Sequence, residues 1–310
     1  MLWYVLKRLL GAFPTLVLLI TIAFFLIRIA PGGPFDSDKE LPPEILKNIQ
    51  AKYHLDESLP KQYIRYLTNI VQGDFGPSFA YKDFTVTELI AKGFPVSLTI
   101  GGLALLLAII IGISLGTLAA VNQNTWLDYA LMSSAMTGIS IPNFVVAPLL
   151  ILLFAIYNKW LPAGGWSGGN WANLVLPVVA LSLHYIAYIA RIMRGSLIEI
   201  LKQDYIRTAK AKGLSPFTIV IKHAIKPALM PVISYLGPAA AGILTGSVVI
   251  EKIFGIPGLG QYFVQGALNR DYTLVMGVII FVGILIILFN LIVDILYAWL
   301  DPKIQLENNA

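Results

Sequence analysis

The chain has 310 residues, 57% of them hydrophobic and only 13% charged, with a net charge of +5 and a mean hydropathy of +0.76. A soluble domain carries roughly 25% charged residues, so this composition excludes a water-soluble globule and points to a polytopic membrane protein. There is no cysteine, which excludes disulfides, thiolate metal sites and cysteine nucleophiles, and the three histidines (His54, His184, His223) are too scattered for a multi-histidine metal centre. No aromatic-plus-basic pattern marks a nucleic-acid binder.

Six apolar stretches reach the ~20 residues needed to cross a bilayer as a helix. They are Leu9–Ala30, Val96–Val121, Tyr129–Tyr157, Leu174–Met193, Ala228–Ile250 and Leu274–Leu300. Helices are expected because each satisfies its own backbone hydrogen bonds in lipid. The first stretch follows Lys7 and Arg8 and imitates a signal peptide. Its length, and Arg28 where a cleavage site needs a small residue, favour an uncleaved first span.

The polar segment from Pro31 to Pro95 carries apolar residues at helical spacing: Ile45, Ile49 and Tyr53, then Tyr63, Leu67 and Ile70. Short amphipathic helices forming a small outer cap are expected there. The later spans are rich in small residues and helix breakers: Gly112-xxx-Gly116, Pro142, Pro148, and Gly237-Pro238. Close helix packing explains them, and so does a flexible, cavity-lining bundle. Ionisable groups within the spans are few. His184 lies in the middle of the fourth and reads as a satisfied core histidine. Asp294 lies late in the sixth, near the interface. No chain of buried carboxylates marks an ion-coupled secondary transporter. Ser182 and His184, two residues apart on a helix, face different ways and make no protease pair.

Between the fourth and fifth spans lie Arg194, Lys202, Arg207, Lys210, Lys212, Lys222 and Lys226, opposed only by Glu199 and Asp204. By the positive-inside rule this loop is cytoplasmic, and six spans then put both termini on the same side. Within it, Asp204 reads as an N-cap, Gly213 as the stop of a first short helix, and Ser215-Pro216 as the N-cap and first residue of a second. On the second helix Phe217, Val220, Ile221 and Ala224 form one apolar face. A basic hairpin resting on anionic lipid fits this pattern, and so does a docking element for a cytoplasmic partner.

The run from Arg207 to Leu214, RTAKAKGL, followed by His223-Ala-Ile-Lys-Pro-Ala-Leu229, resembles the cytoplasmic coupling loop of ABC importer permeases, specifically the B-type subunit of the oligopeptide/dipeptide family. Further stretches resemble that family in order along nearly the whole chain: Arg28–Pro34, Leu55–Tyr63, Gly73–Ser78, Phe94–Leu98, Ile250–Gln261, Asn269–Tyr272 and Asp301–Lys303. The general loop pattern of ABC permeases has an acidic residue where Arg207 stands, and Pro227 comes one residue late. The peptide branch is similarly altered, so a role for Arg207 does not carry over from the acidic residue.

The resemblance implies an all-α, type I ABC importer permease fold. Residues 1–93 would form the first span with an outer helical segment, and 94–303 the transmembrane domain, with coupling helices at about 204–225. It implies a permease subunit of a binding-protein-dependent importer that moves oligopeptides across the bacterial inner membrane. Dipeptide, nickel or other small-ligand permeases of the same family are the alternatives. The implied coupling residues are Tyr205, Arg207, Thr208, Ala209, Ala211, Gly213 and His223. The implied partners are a homologous C-type permease, two cytoplasmic ABC ATPases and an external peptide-binding protein. ATP and magnesium would sit on the ATPases. This chain has no G-xxxx-G-K-[ST] phosphate loop, is not expected to be an enzyme, and is expected to bind no cofactor. Gly164-Gly165 and Gly168-Gly169 read as turn-formers.

Overall fold

The computed structural model describes residues 2–29, 54, 56–81 and 83–300. Eleven helices carry the fold among these residues, and extended structure is limited to an isolated bridge between Pro77 and Thr85. The helices are α1 (Leu2–Ile29), α2 (Leu59–Val71), α3 (Val86–Val121), α4 (Trp126–Ser140), α5 (Asn143–Tyr157), α6 (Trp171–Leu201), α7 (Asp204–Ala211), α8 (Pro216–Ala228), α9 (Met230–Phe254), α10 (Leu259–Leu268) and α11 (Tyr272–Leu300).

Within the described residues, α3, α6 and α11 are each long and apolar enough to cross a membrane. Two bent pairs, α4 with α5 and α8 with the start of α9, pass the same test together, and α1 contributes a shorter apolar stretch over Leu10–Leu26. The third expected span is therefore broken, with a bend of 103° between α4 and α5. Its cause is Pro142, which follows the C-cap of α4 and cannot continue that helix. Pro148 then removes a second backbone donor, and the helix runs on from Ile151 to Tyr157 with wider π turns.

The second span starts ten residues earlier than the Phe94-Pro95 pair had marked it, at Val86 rather than Val96. A capping box sets the start. The Glu88 amide donates to Thr85 Oγ1 at 3.2 Å, and Glu88 Oε2 accepts from the Thr85 amide at 2.9 Å. Pro95 is absorbed inside the helix.

The chain divides into two compact units, each including parts of α1, α3 and α11. The smaller comprises the described parts of Leu9–Ser97 and Pro257–Ile284. Of the outer helices expected there, the one carrying Tyr63, Leu67 and Ile70 is α2, whereas Ile45, Ile49 and Tyr53 lie outside the described residues. Its core gathers Ile20, Phe75, Val86, Leu89, Ile90, Leu274 and Val278. Asp271, fully buried, is the polar centre of this unit. Its carboxylate accepts from the Ser78 hydroxyl, the Ala80 amide (3.0 Å), the Thr273 hydroxyl (3.0 Å) and the Leu274 amide (3.2 Å). Burial, with Tyr262 and Asp271 beside it, raises the Tyr81 hydroxyl above its ordinary pKa, so it stays a neutral phenol. A second junction forms where Ser97 Oγ accepts from the Leu259 amide at 2.8 Å.

In the larger unit, α6 is the central element and packs against α4, α5, α8 and α9. Gly112 and Gly116 of α3 lie against it. A Cβ on Gly112 would sit 2.8 Å from the Ile189 side chain, and one on Gly116 2.5 Å from the Ala190 carbonyl. The small-xxx-small stripe is thus a backbone-to-backbone contact. Asp294 is paired with Arg8 at 3.0 Å.

Candidate functional site

The loop between α6 and α9 folds as a helical hairpin, α7 then α8. Only Lys202 and Gln203 separate α6 from α7, and only Leu229 separates α8 from α9. Asp204 is not the N-cap of α7. Gln203 holds that position without a side-chain bond, and Asp204 is the first helical residue, where its charge favours the helix N-terminus. The helix ends as expected. Gly213 has φ +78°, its amide donates to the Lys210 carbonyl at 2.9 Å, and the Leu214 amide donates to the Ala209 carbonyl at 3.3 Å. This is the paired bonding of a Schellman cap, which needs a left-handed residue. A Cβ on Gly213 would meet nothing within 4 Å, so backbone conformation alone demands glycine. Ser215 caps α8 by accepting from the Thr218 amide at 3.3 Å, and Pro216 takes the first turn.

The face of α8 differs from expectation. Phe217 is 77% exposed and Ile221 48%, whereas Ile219, Ala224 and Ala228 are buried. The cause is a run of π turns over Ile219–Ala224. With i to i+5 bonding, residues five apart share a side, so Ile219 and Ala224 turn inward together.

The proposed coupling residues split in the same way. Ala209 is buried, together with Ile206. Tyr205, Arg207, Thr208, Ala211, Gly213 and His223 are exposed. Arg207 makes only a solvent-exposed pair with Asp204 at 3.1 Å, and Thr208 bonds back to the Asp204 carbonyl. Helix α7 packs against α8, and α8 against α6, with Ile206, Ala209, Ile219 and Ala224 turned inward. The hairpin leaves Tyr205, Leu214, Phe217 and Ile221 outward as an apolar patch among lysines. Among the described residues no group of three or more His, Asp or Glu side chains is arranged to hold a metal.

Sequence reasoning missed the clamp at the base of this hairpin. Arg194 on α6 donates twice to Asp128 on α4, Nε to Oδ1 and Nη2 to Oδ2, both at 2.6 Å, and Asp128 is 1% exposed. In the sequence Arg194 reads only as a loop cation. The two residues are 66 positions apart, and no local pattern links them.

The comparisons with known proteins fit this architecture. Residues 112–306 match the family model described as binding-protein-dependent transport system inner membrane component, and residues 1–101 match the model of the N-terminal part of such components. The chain belongs to this family. Like other inner membrane components of binding-protein-dependent transport systems, it is a multi-pass membrane protein. It is 60% identical over 305 residues to the oligopeptide transport system permease protein OppB of Haemophilus influenzae, covering 98% of this chain and 100% of that one. The Salmonella typhimurium protein of the same name is equally similar over the same shares. The dipeptide transport system permease protein DppB of Bacillus subtilis is 47% identical over 99% of each chain. Among solved structures, a chain of the inward-facing MetNI methionine ABC transporter matches with a TM-score of 0.60 at 21% identity, over 69% of this chain and 96% of that one. A chain of an amino acid ABC transporter matches with a TM-score of 0.54 at 18% identity, over 68% and 94%. These two likenesses establish the fold of ABC importer membrane subunits.

Proposed function

We propose that this chain is the B-type permease subunit of an ABC importer for oligopeptides, and that the α7–α8 hairpin is where it is driven. Two ABC ATPases, holding ATP and magnesium, bind on the cytoplasmic side, one of them over Tyr205, Leu214, Phe217 and Ile221. A homologous C-type permease completes the membrane path, and an external peptide-binding protein delivers the substrate. Both termini are cytoplasmic. Residues 1–93 supply the first span and the outer docking segment, and 94–303 the moving transmembrane domain.

The observation that carries this reading is the hairpin's two-sidedness. Its buried side and its two very short links to α6 and α9 make it a rigid lever. Its outer side presents large apolar side chains that no other described residue buries. Closure of the ATPases would push on that side, and α6 and α9 would follow, switching the path between outward- and inward-facing states. The Asp128–Arg194 clamp would carry α4 along. The identity to oligopeptide permeases, 60% against 47% for a dipeptide permease, supports peptides longer than two residues.

The test is reconstitution of the four-component importer with its binding protein in vesicles, followed by ATP-dependent uptake of labelled di- and oligopeptides. Uptake of oligopeptides is the expected result. Uptake of dipeptides alone would favour the dipeptide reading, and uptake by this chain without ATPases would overturn the proposal.

A further inference from the structure

The outward faces of the long helices are not alike. On α11 the exposed stripe is Leu288, Ile292 and Leu296, four residues apart and wholly aliphatic. On α6 the corresponding stripe is His184, Tyr188, Arg191 and Gly195, with the two rings half-buried and Arg191 and Gly195 exposed. His184 lies ~20 Å along a helix ~46 Å long, near its middle, and Arg191 about 10 Å further on.

Neighbouring helices extend this polar stripe. The His184 and Tyr188 rings are 4.9 Å apart. Tyr188 stacks on Tyr235 of α9 at 5.6 Å, with the planes 15° apart. Arg191 lies over Tyr188, its guanidinium carbon 5.9 Å from the ring centre, and its Nη2 reaches Met136 of α4 at 2.6 Å. On α4 the exposed positions on the same side as Met136 include Ser133, Thr137 and Ser140. Among the described residues no carboxylate pairs with Arg191, in contrast to Arg194 one turn away.

Lipid is a poor neighbour for this face. An arginine facing hydrocarbon costs at least ~2.5 kcal/mol near the centre, and lipid-facing arginines relieve the cost by reaching toward the nearer interface. Arg191 turns the other way, back over Tyr188 toward the middle of α6. Water, or a polar molecule in water, suits it better.

From this we infer that the face of α4, α6 and α9 around Arg191, Tyr188, Tyr235 and His184 lines the aqueous path and holds the peptide in transit. The inference rests on the peptide-permease reading above. Arg191 takes a peptide carboxylate, which every linear peptide carries at its C-terminus whatever its sequence. The tyrosine stack offers flat apolar surface with hydroxyl rims, a contact that tolerates different side chains. One charge common to all substrates and one tolerant platform suit a transporter that must hold many peptides loosely.

The lack of cysteine gives a clean background for the test. Single-cysteine variants Tyr188→Cys, Thr137→Cys and Leu288→Cys are assembled into the complete importer with cysteine-free partners and treated with a membrane-impermeant thiol reagent. The first two should label and be protected by transported peptide, while Leu288→Cys should not label. Arg191→Ala should raise the peptide concentration for half-maximal uptake about tenfold for peptides with a free C-terminus, as expected for loss of one charged hydrogen bond. It should leave C-terminally amidated peptides nearly unchanged, and Arg191→Lys should restore most of the difference. Labelling at Tyr188→Cys no better than at Leu288→Cys, or labelling that peptide does not slow, would overturn the inference. Failure of the unsubstituted importer to move any peptide would break the substrate reading instead, and labelling at Tyr188→Cys would still report whether this face is wet.

Discussion

Two regions of this chain treat their polar and apolar groups in opposite ways. Around Asp271 a carboxylate is fully buried, and four donors converge on it from Ser78, Ala80, Thr273 and Leu274. In the α7–α8 hairpin the charges are in solvent, and large apolar groups such as Phe217 lie outside with them. A buried, fully bonded network fixes one arrangement and is costly to disturb. An exposed apolar patch on a short rigid hairpin contributes little to its own chain's stability and marks a surface for another chain. The first region is built to stay as it is, and the second to be met and moved.

Substitutions should separate the two. The largest loss of stability is expected from Asp271→Ala. It leaves the Leu274 amide and the Ser78 hydroxyl buried without their acceptor, at about 1–3 kcal/mol for each, and also frees the part-buried Ala80 amide. Thermal unfolding in detergent should fall accordingly, with Asp271→Asn intermediate. Phe217→Ala should leave the melting temperature of the isolated chain nearly unchanged, because the side chain is 77% exposed. It should weaken co-purification of the ATPases by tenfold or so, about what burying a large aromatic side chain contributes. A fall in melting temperature comparable to that of Asp271→Ala would contradict the division drawn here. The smallest effect belongs to Arg207→Ala. Its pair with Asp204 is solvent-exposed on both sides, and such pairs contribute roughly 0–1 kcal/mol, so stability should barely move.

Much of this was legible in the sequence, for identifiable reasons. Apolar runs mark spans because the bilayer imposes their length. Gly213 and Ser215-Pro216 mark the hairpin because helix ends have local chemical requirements. The start of α3 is legible in Thr85-x-x-Glu88, but Phe94-Pro95 is the louder signal and points ten residues too late. The buried face of α8 was not legible. Nothing in Ile219–Ala224 announces π turns, and an α-helical template assigns Phe217 and Ile221 to the inside. Long-range pairs were also out of reach. Ser78 and Asp271 both lie in segments that resemble the family, as do Ser97 and Leu259. Only the fold reveals that those segments meet, and Asp128–Arg194 lies in no such segment. The polar stripe of α6 was partly visible, since His184, Tyr188 and Arg191 follow helical spacing. Which way that face turns depends on how α4 and α9 pack around it.

The most direct test of the hairpin's role is Gly213→Val, assayed for membrane insertion, ATPase binding and ATP-driven peptide uptake in the reconstituted importer. A β-branched residue resists the left-handed backbone at φ +78°, while open space around the position means no clash elsewhere. The Gly213→Val chain should insert normally but lose coupled uptake, and Gly213→Asn, which tolerates that conformation, should retain most of it. Normal uptake by Gly213→Val would contradict the claim that this hairpin transmits the drive.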